Sequence, residues 1–197
     1  MPVAVPTTHV IERDLEQVQV SLTAPCVPRG DPLHPAAELW SSILGDGYSS
    51  RLFREVRDRR GLAYSVGSAL ESYTDAGCLH VVFAVDAARL DEALEVISRE
   101  IRTPITADEL ASAKEQVCTG VRLGQEGSGA RMSFLAEQAL LGDDAPDVDG
   151  VIEALEQVPL ASVEELAGRI AGARLALAVV GPVESKRFAA GGWELPK

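Results

Sequence analysis

Apolar and polar residues alternate toward Leu22, with Val18, Val20 and Leu22 on one side and Gln17, Gln19 and Ser21 on the other. A period of two predicts a half-buried strand within 11–22. Pro25, Pro28, Gly30 and Pro32 then read as a loop, after which Ala36, Leu39, Trp40, Ile43 and Leu44 recur at helical spacing. The next stretch, LGDGYSSRLFREVRDRRGLAYSV from Leu44 to Val66, opens on a Gly45, Asp46, Gly47 turn. Ser49 or Ser50 can cap a short helix there by accepting a backbone N–H. Leu52, Phe53 and Val56 form its expected buried stripe, with Arg51, Arg54, Arg57, Asp58, Arg59 and Arg60 on its other faces. Gly61 is placed to end it in the left-handed conformation, and Leu62 to Val66 has the character of a strand opening. Arg57 and Tyr64 therefore flank a helix-to-strand corner.

Further on, a strand from Tyr64 to about Ser72, a turn at Thr74 to Gly77 and a strand from Cys78 to Val85 predict an antiparallel hairpin whose second strand is buried on both faces. Leu90, Leu94, Ile97 and Ile101 mark a helix that Pro104 stops. Thr106 and Glu109 make a capping box for a long helical region that falters at Gly124, Gly127 and Gly129, where each glycine costs about 1 kcal/mol against alanine. Asp143, Asp144, Pro146 and Asp147 read as an acidic loop. A short helix over 151–158, a second capping box at Ser162 and Glu165, and a strand over 176–180 complete the chain. This order is not the alternation of a doubly wound sheet. It predicts an α+β fold, a mostly antiparallel sheet with helices packed on one face, as one domain over 1–197 with loose tails at 1–10 and 185–197.

Composition narrows the partners. The 197-residue chain carries a formal net charge of −12, so it would repel nucleic acid, and the arginines between 51 and 60 are a local exception. Cys26, Cys78 and Cys118 fit neither a disulfide framework nor a CxxC metal site. No apolar run approaches the roughly 20 residues that span a membrane, and no signal peptide is recognised; a cytoplasmic location is expected. The abrupt opening suggests a piece of something longer.

Self-sufficient chemistry is hard to find. His9 to Arg13 begins like the inverted zinc motif HxxEH, but Arg13 stands where the second histidine belongs and cannot offer zinc a lone pair. His9, His34 and His80 lie far apart with no ligand-spaced partner, so no metal ligands are expected in this chain. There is no GxSxG elbow, Cys118 reads as core, and Gly45 and Gly47 lack the rest of a phosphate loop or dinucleotide fingerprint.

The 44–66 stretch closely resembles a signature of the pitrilysin-type zinc metallopeptidases, which include mitochondrial processing peptidase, insulin-degrading enzyme and bacterial processing peptidases. TADELASAK at 106–114 and LAVVGP at 177–182 match in the right order. The resemblance implies two similar α+β domains per half-molecule, closing around an unfolded peptide, with this chain as a C-terminal, non-zinc domain. It implies that Arg57 and Tyr64 hold substrate near the scissile bond, with Arg51 a further candidate to face the chamber. Turn formation and capping already account for Gly45, Gly47 and Ser50. No cofactor is then expected on this chain, and zinc is expected on a catalytic domain of the same parent chain or of a partner subunit. The expected partners are that domain and a peptide substrate, with no nucleic acid or membrane, in an arrangement that allows a dimer. Two alternatives stay open: a catalytically silent structural or assembly subunit of the same fold, and a module that binds peptide strands at a sheet edge.

Overall fold

The computed structural model describes residues 5–141, 147–188 and 191–195. Five strands, β1 (Thr8–Glu12), β2 (Val18–Cys26), β3 (Val66–Ser72), β4 (Gly77–Val85) and β5 (Ala176–Gly181), form one sheet in the order β1-β5-β2-β4-β3. Only β1 and β5 run parallel; the other neighbours are antiparallel. The helices are α1 (His34–Gly45), α2 (Leu90–Arg102), α3 (Ala107–Gly124), α4 (Ser128–Leu141), α5 (Val148–Glu156) and α6 (Leu160–Gly172). A π-helical turn lies at Phe53–Asp58 and a short 3-10 turn at Ala87–Arg89. Among the described residues no helix is long and apolar enough to cross a membrane.

The two-residue period of β2 sorts its side chains. Val18, Val20, Leu22 and Ala24 are buried, beside Leu79, Val81, Phe83 and Val85 of β4 and Leu177 and Val179 of β5. Against this face pack Leu39, Trp40 and Leu44 of α1, Leu90, Leu94, Ile97 and Ile101 of α2, and Val163, Leu166 and Ile170 of α6. The other face stays open. Val82 is 49% exposed, so β4 is buried on one side rather than on both.

Several expectations change. Thr8, His9 and Val10 belong to β1 rather than to a loose tail and give β5 a second partner; the segment is too short for its alternation to stand out. Among the described residues of the other tail, Trp193 and Leu175 exchange backbone hydrogen bonds of 2.8 Å, and Arg102 Nη2 donates to the carbonyl of the buried Leu195 at 2.6 Å. The expected capping box at Ser162 is absent, because α6 already starts at Leu160 behind Pro159. The box at Thr106 is present. The glycines do break the long helix, into α3 and α4. Of the acidic loop, Asp147 caps α5 by accepting from Gly150 N at 2.9 Å, while 143–146 fall outside the described residues.

Candidate functional site

The 44–66 stretch wraps the end of α1 and returns to the sheet edge. Gly45 lets the two meet, since a Cβ there would stand 2.4 Å from Ser68 N on β3. Neither serine caps as expected: Ser50 Oγ donates to the Gly47 carbonyl at 2.8 Å, and Ser49 Oγ donates to Gln116 Oε1 at 3.5 Å. The helix that follows winds as a π-helix, with Arg59 N donating to Arg54 O at 2.9 Å, five residues back. Such turns are rare and concentrate at functional sites. Leu52 and Val56 are fully buried, as the stripe requires.

The arginines of this segment divide sharply. Arg51 is only 2% exposed and does not face a chamber. Its Nε and Nη2 grip Glu109 Oε1 and Oε2 at 2.7 Å each, Nη1 donates to the carbonyls of Glu100 (3.0 Å) and Thr103 (2.7 Å), and Nη2 donates to that of Pro104 (2.8 Å). A guanidinium has five N–H groups, so every one is satisfied. These bonds, with those from Thr106, hold the Glu109 carboxyl well below the usual range, at about 2. The sequence pattern placed Arg51 on an outer face because the pull of an α3 carboxylate and three carbonyls is not local. Arg59 and Arg60 both pair with Glu55, and Arg54 reaches Glu109 at 3.8 Å. Arg57 alone in the cluster has no carboxylate or hydrogen-bond partner among the described residues.

Instead, Arg57 is held by aromatic faces. Its Cζ lies 4.7 Å from the Phe53 ring centroid and 4.4 Å from that of Tyr64. Tyr48 meets Phe53 edge-on at 5.0 Å. Tyr64 is 79% exposed and Tyr48 is 81% exposed. The corner that brings Tyr64 over Arg57 turns at Gly61, whose φ is 56°, and is tied down by Arg89, which donates to the carbonyls of Gly61 (3.1 Å) and Arg60 (3.2 Å). Leu62 and Ala63 are buried just behind it, and β3 starts only at Val66. The result is a half-buried cation flanked by rings, at the start of an edge strand. It can offer N–H and O–H donors to carbonyl oxygens or to an anionic group.

Residues 2–117 match the family model described as the peptidase M16 inactive domain. The chain belongs to that family. M16 membership agrees with the pitrilysin-type resemblance and with the expected α+β fold. An uncharacterized zinc protease of Mycobacterium tuberculosis is 37% identical over 186 residues, covering 92% of this chain and 42% of the relative. This M16 domain therefore spans less than half the length of that protein. Among solved structures, a peptidase M16 inactive domain from Pseudomonas fluorescens matches with a TM-score of 0.77 at 20% identity, over 93% of this chain and 45% of that one. A chain of complex III2 from Candida albicans matches with a TM-score of 0.79 at 20% identity, over 92% and 47%.

Of the candidate ligands of the M16 domain, His34 opens α1, with its Nδ1 3.8 Å from Glu38 Oε1, while the others lie on the sheet. His9 and Glu12 sit on β1, where their odd separation puts them on opposite faces, so they cannot converge as HxxEH does on a helix. His80 has partners that linear spacing concealed. Its Nε2 lies 3.1 Å from Cys78 Sγ and 3.5 Å from Glu71 Oε2, and its Nδ1 is 2.9 Å from Thr23 Oγ1. The signal was available: alternation puts Cys78 and His80 on one face, and the hairpin register pairs Glu71 with Cys78.

Proposed function

We propose that this chain is the substrate-gripping, non-zinc domain of a zinc metalloendopeptidase, binding an extended peptide opposite a zinc-bearing domain of the same parent chain or of a partner subunit. The observation that carries the reading is the half-buried Arg57 guanidinium, free of carboxylates among the described residues and stacked at 4.4 Å on the exposed Tyr64 ring. An unneutralised cation in a chain of net charge −12 is a built feature rather than a solvated face. Desolvated by a closing partner, the guanidinium and phenol would donate to substrate carbonyls and to the developing oxyanion, where fixed donors lower the barrier most. Among the described residues β3, which starts beside them, is hydrogen-bonded to a strand on one side only, so it suits a peptide presented in extended form. The zinc and its activated water would come from the other domain.

The test uses this domain joined to its zinc-bearing counterpart. Arg57→Ala and Tyr64→Phe should each lower kcat/KM for an extended peptide by tenfold or more while leaving the melting temperature within a few degrees. Parallel losses of activity and melting temperature would make the pair structural. A silent assembly subunit is the second reading, favoured by the shared fold of the complex III2 chain; it predicts no hydrolysis with any zinc-bearing counterpart.

A further inference from the structure

We infer that Glu71, Cys78 and His80 form a zinc-type metal site on the open face of the sheet, at the far end of β3 from Tyr64. The three donor atoms lie within 4.8 Å of one another. A tetrahedral zinc with bonds of about 2.0–2.3 Å holds its ligand atoms roughly 3.3–3.8 Å apart. The 3.1 Å and 3.5 Å separations around His80 Nε2 need only a few tenths of an ångström of adjustment. The surroundings favour ligation over a hydrogen-bonded cluster. When His80 Nδ1–H donates to Thr23 Oγ1 at 2.9 Å, the ring is fixed with its lone pair on Nε2, between the thiol and the carboxylate. The same geometry argues against a nucleophilic Cys78: in a thiol–imidazole–carboxylate relay the acid meets the nitrogen remote from sulfur, whereas here Glu71 and Cys78 converge on one nitrogen. The ligand side chains are accessible, with Glu71 56% and His80 25% exposed, which leaves the fourth position for water or an incoming donor. With ligands on β3 and β4 and a supporting hydroxyl on β2, the ion would cross-link three neighbouring strands. This departs from the expectation that the chain holds no metal, and it is independent of the role proposed for Arg57.

The full chain, purified metal-free and reduced, is titrated with Co²⁺ and then with Zn²⁺. One equivalent of Co²⁺ should bind with a thiolate-to-cobalt charge-transfer band that Zn²⁺ abolishes. Cys78→Ser should remove the band, His80→Gln should weaken binding at least tenfold, and Thr23→Val should weaken it about 10–100-fold by freeing the ring. Glu71→Gln, at an exposed position that folding tolerates, should weaken binding with the fold intact by circular dichroism. Cys26→Ser and Cys118→Ser should bind as the parent does. Absence of the band, its survival in Cys78→Ser, or unchanged affinity in folded Glu71→Gln would overturn the site.

Discussion

Arg51 directs all five N–H groups inward, tying the opening of the π-helical segment to the end of α2 and the start of α3. Arg57, in the same basic run, keeps its guanidinium between two rings, an arrangement worth about 0.5–1 kcal/mol near the surface. Their variants should part company. Arg51→Ala removes a buried guanidinium from the half-buried Glu109 carboxylate and three carbonyls and should cost about 3 kcal/mol in chemical denaturation, whereas Arg57→Ala should cost less than about 1 kcal/mol. The pair also has a pH signature. Because the folded Glu109 carboxyl is depressed to about 2, the folded state binds fewer protons there than the unfolded state. Its contribution is therefore complete above about pH 4.3 and declines as pH falls toward 2. Stability should fall less steeply across that window in Glu109→Gln than in the parent. The sequence could not separate the two arginines, since both sit among charges at helical spacing and only tertiary contacts assign one to the interior.

At the scale of elements, strands and helices of the core were legible because the periods are clean: Val18, Val20, Leu22 for β2, and Leu90, Leu94, Ile97, Ile101 for α2, all buried. The Gly61 corner was legible for a similar reason, since only glycine readily takes a φ of 56°. No atom lies within 4 Å of a Cβ built there, so Gly61→Ala tests backbone strain without a clash. It should lower stability by about 1–2 kcal/mol. If Tyr64 depends on that corner, hydrogen exchange should quicken over 59–64 before it does in β3. Equal protection in parent and variant would mean the corner is set by Leu62, Ala63 and Arg89 alone. The π-winding of 53–58 had no signal in the residues, because one extra residue per turn leaves the buried stripe of Leu52 and Val56 intact. β1 and the Trp193 bridge were missed because each is a short segment completed by a distant partner.

Across the whole molecule, helices cover one face of the sheet while the other carries Val82, His80 and Glu71 into solvent. A one-sided domain that spans 42% of a relative named a zinc protease is suited to work against a second body. Grip would then reside here and hydrolysis there. Metal held at Glu71, Cys78 and His80 would not alter that division, because the carboxylate of that site would serve as a ligand rather than as a base. The direct measurement is cleavage of an extended peptide by this domain alone, by a zinc-bearing HxxEH domain alone, and by the two together, with and without chelator. The account predicts chelator-sensitive cleavage in the mixture only, reduced at least tenfold by Arg57→Ala at unchanged melting temperature. Cleavage by this domain alone, or a mixture indifferent to Arg57, would contradict it.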